Sequence, residues 1–345
     1  MDSAGGPVLE VEDLTVRFKT RAGLVHAVNG LSLRVEPGEV LGIVGESGSG
    51  KSVSMYSVLG LVKDRNAEIS GRARFNGQEL IGLGDAELAK IRGRQIAMIF
   101  QDPMTSLTPV YTIGWQIAEQ LRAHNDMSRR AARDRAIELL EEVGIPDPRR
   151  RVDNYPHEFS GGMRQRAMIA MALSCNPSLL IADEPTTALD VTIQAQILDL
   201  MRRLRERHGS AIVLITHNMG VISELADRVV VMYAGRAVEE GQKREIIRQP
   251  RHPYTWGLLD AVPRLGDARG RLATIPGSPA SPLNVGPGCP FAPRCAHRHD
   301  ACAQLPPLTG AGGHLDACWL PSEDRAERRR SVPRGPLAAG GRSGE

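Results

Sequence analysis

A chain of 345 residues, 41% apolar and 24% charged, is long enough for one sizeable domain plus an appendage and has enough apolar material for a real core. A net charge of +3 is too small to argue for a nucleic-acid partner; only five of the 43 basic residues are Lys, so the Arg bias is spread along the chain and not gathered in a patch. No apolar run approaches the ~18–20 residues needed to cross a bilayer, and the Gly-rich first residues show no signal-peptide pattern, so a soluble, cytoplasmic protein is expected.

Residues 9–18 alternate apolar and polar side chains, the pattern of a half-buried strand, and a second strand is predicted over 27–35. Pro37-Gly38 makes a turn. Val40-Leu41-Gly42-Ile43-Val44 is a short run suited to a strand buried on both faces. A Gly-rich loop at 45–52 follows, and then a helix to about residue 61. Short strands are predicted over 69–75 and 95–100. From 110 to 178 the pattern is helical, with a polar stretch at 129–142. Strand character returns at 179–182, a helix is predicted over 192–207, and strands over 211–215 and 229–233. Strands alternating with helices imply an α/β protein with a largely parallel sheet, into which the helical stretch is inserted. With aromatics at 4%, its core must be mostly aliphatic. Beyond about Pro263, Pro and Gly become dense and periodicity fades. Residues 323–345 carry little apolar material and are expected to be disordered.

The loop Gly45-Glu46-Ser47-Gly48-Ser49-Gly50-Lys51-Ser52 matches G-x-x-x-x-G-K-[ST], with a buried strand before it and a helix after it. A triphosphate needs many donors in a small space. Glycines at 45, 48 and 50 let backbone N–H groups turn inward around a phosphate, and the helix start adds its positive end. Lys51 supplies a mobile point charge for the outer phosphates, and the Ser52 hydroxyl is placed to ligate Mg²⁺. The strand Leu179-Leu180-Ile181-Ala182 ends in Asp183-Glu184. Buried strands rarely end in two adjacent acids unless a cation waits there. Asp183 is assigned to Mg²⁺, and Glu184 to the water that attacks the terminal phosphate, as general base or as the group that positions the water.

Between these motifs lies Phe159-Ser160-Gly161-Gly162-Met163-Arg164-Gln165-Arg166, which resembles the LSGGQ signature of ABC-transporter ATPases, with Phe159 and Met163 as departures. Gln101 resembles that family's Q-loop glutamine, Ala188-Leu189-Asp190 its D-loop and Thr216-His217 its switch histidine. Five motifs in the family's order span roughly residues 8–262. The resemblance implies a RecA-like P-loop core with an N-terminal antiparallel β subdomain and an α-helical subdomain at about 102–178. It also implies two ATP–Mg²⁺ sandwiched head-to-tail between two cassettes, with Ser160, Gly161, Gly162 and Asp190 closing over the partner's nucleotide. Gln101 and His217 would act on Mg²⁺, water and the terminal phosphate. Phe18 would stack on adenine, where the family more often has Tyr. Val53 departs from the hydroxyl that many relatives place against a phosphate.

Finer matches resemble the ATP-binding subunits of bacterial oligopeptide, dipeptide and nickel importers, of the D type. They are Phe100-Gln101-Asp102-Pro103-Met104-Thr105-Ser106-Leu107, Tyr155-Pro156-His157-Glu158, Asp183-Glu184-Pro185-Thr186-Thr187 and Arg251-His252-Pro253-Tyr254-Thr255, with Thr108 a departure from the usual Asn. This resemblance implies a paralogous F-type ATPase subunit, two transmembrane permeases and an extracytoplasmic solute-binding protein as partners, and a place at the inner face of the membrane. It also covers residues 263–322 as a Cys-rich C-terminal extension, in which Cys289, Cys295, Cys302 and Cys318 follow C-x5-C-x6-C-x15-C. Relatives carry a [4Fe–4S] cluster there. Four thiolates suit that cluster; Zn²⁺ is the main rival, and a small apolar plug of free thiols is the plainer alternative. The rival to an importer, a soluble mechanical ATPase working on DNA or ribosomes, usually has two cassettes or long coiled coils; this chain has one cassette and no long heptad run.

Overall fold

The structure is a computed structural model that describes residues 6–187, 189–262 and 274–331. Strands β1 (Leu9–Thr20) and β2 (Gly23–Val35) form a hairpin. They are longer than the alternating stretches suggest, because pairing continues to Thr20 and Gly23 across a two-residue turn. Then come β3 (Val40–Val44), α1 (Lys51–Val58), β4 (Ala67–Phe75), β5 (Gln78–Glu79), α2 (Asp85–Ile91) and β6 (Ile96–Ile99). The inserted stretch holds α3 (Pro103–Ser106), α4 (Ile113–His124), α5 (Arg129–Glu142), α6 (Pro148–Arg151) and α7 (Gly161–Leu173). The chain continues through β7 (Leu179–Asp183), α8 (Val191–His208), β8 (Ala211–Thr216), α9 (Met219–Leu225), β9 (Arg228–Tyr233), β10 (Arg236–Gln242), α10 (Lys243–Arg248) and α11 (Pro253–Asp260). The last described elements are β11 (Thr309–Ala311), β12 (His314–Asp316) and α12 (Ser322–Ser331).

Two sheets result. One is antiparallel, in the order β2-β1-β4-β5. The other runs β11-β12-β10-β9-β3-β8-β7-β6, parallel from β9 to β6. The five-residue strands β3 and β7 are buried throughout, as is β8. Their side chains still alternate between two cores, since successive residues point to opposite faces. Val40, Val44, Leu180, Ala182, Ile212 and Leu214 face the core built with α4, α5, α7 and α8. Leu41, Ile43, Leu179, Ile181, Val213 and Ile215 face the core shared with α1 and the antiparallel sheet. Each such side chain contributes about 2 kcal/mol of burial, so the aliphatic strands are the main apolar anchor of the site.

Two expectations need correction. The C-terminal region contains regular structure: the β11–β12 hairpin extends the main sheet by pairing β12 antiparallel to β10. The tail expected to be disordered from 323 begins as helix α12, anchored where Arg325 pairs with Asp316 at 2.7 Å. An i→i+4 pair, Arg328–Asp324, also supports this helix. Residues 332–345, and the compositional break at 263–273, lie outside the described residues.

Candidate functional site

The motifs meet at the carboxyl ends of the parallel strands, where α/β sheets place their ligands. The Gly-rich loop leaves β3, Asp183 ends β7, and His217 follows β8. The loop folds as it does because two positions cannot carry a side chain. A Cβ on Gly45 would lie 2.2 Å from the Met232 carbonyl oxygen. At Gly50, with φ of 96°, it would lie 2.3 Å from that of Ala27. Ser47 and Gly48 are exposed at the tip, and Ser49 is buried. The Lys51 ammonium donates to the carbonyl oxygens of Gly45 at 2.8 Å and Glu46 at 2.9 Å. Burial lowers its pKa, while the charges of Glu184, Asp183 and Glu46 pull the other way.

Ser52 and Asp183, expected to share Mg²⁺, are joined directly: the Ser52 hydroxyl donates to Asp183 Oδ1 at 2.8 Å. Tyr56, which the sequence reading missed, donates to Asp183 Oδ2 at 2.8 Å. It stands one helical turn beyond Ser52 on α1, so the i, i+4 spacing was the available signal. An oxygen-only pair of this kind is the donor type that Mg²⁺ takes. Glu184 sits at a positive φ of 48° and its side chain is 12% exposed. Three groups hold its carboxylate. Gln101 Nε2 and Thr187 Oγ1 reach Oε2 at 3.2 and 2.8 Å, and His217 Nδ1 lies 3.1 Å from Oε1. Thr187 was also missed.

Burial pushes both carboxyls up, but the outcomes diverge. For Asp183, burial and the charge of Glu184 outweigh the hydrogen bonds from Ser52 and Tyr56, and its pKa is raised. For Glu184, the hydrogen bonds from His217 and Thr187 and the charges of His217 and Lys51 outweigh burial, and its pKa is lowered. Two neighbouring acids are thus shifted in opposite directions by their surroundings.

Other expected site residues lie outside this cluster. Ser160 caps α7, its hydroxyl accepting from the Met163 amide at 3.3 Å. A Cβ on Gly161 would meet nothing within 4 Å, whereas one on Gly162 would touch Ile193 at 3.1 Å. Asp190 caps α8 through the Ile193 amide at 2.9 Å; Ala188 of the same motif lies outside the described residues. Phe18 and Val53 are half-buried and pack against the core beneath the antiparallel sheet.

The four C-terminal cysteines line one small apolar cavity with His252, Phe291, His297 and Trp319. Neither the [4Fe–4S] nor the Zn²⁺ expectation finds support here: among the described residues no group of three or more His, Cys, Asp or Glu side chains is arranged to hold a metal ion. Burial pushes the thiols of Cys289 and Cys295 up, and that of Cys318 to about 12, which keeps them protonated in this environment. No helix among the described residues is long and apolar enough to cross a membrane.

Comparison with known proteins agrees with this geometry. The profile of the ABC transporter family matches residues 28–187, and that of the oligopeptide/dipeptide transporter C-terminal region matches 238–302. The oligopeptide transport ATP-binding protein OppD of Escherichia coli is 52% identical over 319 residues, covering 92% of this chain and 94% of that one. OppD of Salmonella typhimurium is 51% identical over 318 residues, with 92% and 95% covered. Among solved structures, a dimeric ATP-binding cassette in a post-hydrolysis state with ADP and Pi superposes with a TM-score of 0.62 at 30% identity, covering 68% of this chain and 99% of that one. A cassette of an ABC transporter complex from Clostridium perfringens gives 0.60 at 28% identity, covering 70% and 91%. Phosphate loop, paired acids and C-terminal region therefore place the chain in one family: it belongs to the ATP-hydrolysing ATP-binding proteins of ABC transporters, in the oligopeptide/dipeptide branch.

Proposed function

We propose that this ATPase energises import of oligo- or dipeptides, working at the inner face of the membrane beside two permeases and an extracytoplasmic binding protein. A paralogous F-type cassette completes the ATP sandwich, and nucleic acid has no part in it. The observation that carries the reading is the gathering of Lys51, Ser52, Gln101, Asp183, Glu184 and His217 around one strand-end cluster. The sequence likeness to OppD over nearly the whole chain supports peptides as solute.

The roles assigned in this reading rest on these contacts for the cluster residues and on the family resemblance for the others. Residues 45–51 would cradle the phosphates, and Ser52 and Asp183 would hold Mg²⁺, which would supply positive charge beside the phosphates. Glu184 keeps its negative charge at neutral pH, so it can orient and deprotonate water. Gln101 and His217 fix the carboxylate and report on what occupies the site. Phe18 stacks on adenine and Val53 lines the loop. Ser160, Gly161, Gly162 and Asp190 close over the partner's nucleotide. In this reading the cassette spans 1–262, its helical part about 102–178, and the extension 263–322. Glu184→Gln is expected to bind ATP yet lose ~10²–10⁴ in turnover in the purified complex. Wild-type turnover would remove Glu184 from the role. Stimulation of hydrolysis by peptide-loaded binding protein, and not by nickel, tests the solute.

A second reading concerns the cysteines. Their convergence on one cavity supports a shared occupant, a [4Fe–4S] cluster or Zn²⁺, although no preformed group of metal ligands stands among the described residues. Metal and acid-labile sulfide analysis of anaerobically purified protein decides it. About four irons and four sulfides, lost on Cys289→Ser, establish the cluster; about one zinc makes a structural clip. No metal leaves an apolar thiol pocket.

A further inference from the structure

The C-terminal region reaches the phosphate loop through one buried side chain. Arg294 stands in the short turn between Cys289 and Cys295, and its side chain is only 4% exposed. Its Nη1 donates to Glu46 Oε2 at 2.6 Å and its Nη2 to Glu46 Oε1 at 3.0 Å, a bidentate pair with the second residue of the loop. The remaining donors are also used: Nε on the Pro276 carbonyl at 2.8 Å, Nη2 on that of Ile275 at 3.2 Å, and Nη1 on the Tyr233 hydroxyl at 3.4 Å. The guanidinium also lies 5.8 and 5.9 Å from the ring centroids of Tyr233 and Phe291. Five donors therefore find five acceptor contacts in a packed setting, which a lysine could not reproduce.

Glu46 is held at two further points. Its backbone N–H donates to the Tyr254 hydroxyl at 2.8 Å, and its carbonyl accepts from Lys51. Tyr254 is fully buried on α11, and its ring packs against Tyr233 and Phe291. The position of Glu46 thus depends on α11 and on the Cys-flanked turn, 208 and 248 residues away in sequence. The same residue accepts one of the hydrogen bonds that fix Lys51.

We propose that Arg294 is a positioning residue for nucleotide binding, by which the C-terminal region holds the phosphate loop in its binding shape through Glu46. It touches no nucleotide itself. Its two bonds to a carboxylate fix both position and angle, as a single ionic contact cannot. A loop that must gather several N–H groups on one phosphate loses affinity when the gathering is left to chance. The C-terminal extension is on this account part of the ATP site, not an appendage to it.

The inference rests on reading residues 45–52 as the ATP site, so the test carries Lys51→Ala beside the variants. The dissociation constant of a fluorescent ATP analogue is measured on the full chain, and the KM and kcat of hydrolysis on the assembled complex. Arg294→Gln and Glu46→Gln are each expected to weaken binding about 10-fold or more and to raise KM, with kcat at saturating ATP changed less than about threefold. The double variant should be no weaker than either single one, because both break the same contact. Arg294→Lys should fall between wild type and Arg294→Gln. Thermal midpoints and circular dichroism accompany each variant. Unchanged affinity in Arg294→Gln, full additivity of the two losses, or a loss confined to variants that unfold would overturn the proposal. If Lys51→Ala leaves affinity intact, the site assignment fails with it; if only Lys51→Ala weakens binding, the site stands and Arg294 has no positioning role.

Discussion

At the scale of single residues, the site is a pair of acids held by different neighbours. Asp183 is buried and fed by two hydroxyls; Glu184 is bonded by an amide, an imidazole and a hydroxyl. Asp183, Glu184, Lys51 and Ser52 were legible because they are adjacent in sequence or lie in a spaced motif. Tyr56 was signalled only by its i, i+4 spacing from Ser52, and Thr187 by nothing, because a hydroxyl donor near an acid carries no pattern of its own. Tyr56→Phe isolates one such contact. It removes a hydrogen bond to a charged group without opening a cavity, so a stability loss of about 1–3 kcal/mol is expected in urea unfolding. ATP affinity should stay within a few-fold, since Ser52 still reaches Asp183.

At the scale of elements, helix caps carry residues whose chemistry is easily mistaken. Ser160 and Asp190 each accept the amide three residues on, so both start helices whatever else they do. His252 starts α11 in the same manner, its Nδ1 accepting from the Tyr254 amide at 3.1 Å. That bond needs an unprotonated Nδ1. Burial, reinforced by the charge of Arg325, pushes the His252 pKa down to about 3 from an ordinary value of 6.5. Between those values the unfolded chain binds a proton that the folded chain refuses. Stability from this group is therefore intact above about pH 6.5 and is lost as pH falls towards 3. Unfolding free energies of wild type and His252→Asn, compared across that window, should converge as pH falls; parallel curves would contradict the assignment. Asn is chosen because it still caps a helix and does not titrate.

At the scale of the whole molecule, the C-terminal region is knitted into the main sheet by buried polar groups. Glu239 on β10 is fully buried and accepts from the amides of Arg251 and His252 at 2.7 and 2.9 Å, with His314 Nε2 of β12 2.8 Å away. Truncating it leaves two amides and an imidazole without their acceptor. Glu239→Ala is expected to cost about 3–5 kcal/mol and to expose residues 309–316 to limited proteolysis. A protected hairpin with unchanged stability would show that pairing of β12 with β10 alone secures it. The same architecture puts Arg294 against the phosphate loop, so the far end of the chain and its first motif form one structural unit.

The sequence by itself determined the parallel α/β core, the inserted helices, the phosphate loop and the paired acids. These rest on short-range rules: aliphatic runs of strand length, glycines where a Cβ cannot fit, and carboxylates placed at a strand end. It also carried the family, because five motifs keep their order along one chain. It missed most of the regular structure after residue 233. Strand β10, the β11–β12 hairpin and α12 are short or polar; long-range pairing with an existing sheet edge holds the strands, and the Arg325–Asp316 ion pair anchors the helix. The tertiary structure alone decided which distant groups meet: Tyr56 with Asp183, Gln101 and His217 with Glu184, Arg294 and Tyr254 with Glu46. Such contacts join residues up to 248 positions apart, and no local spacing rule reaches that far.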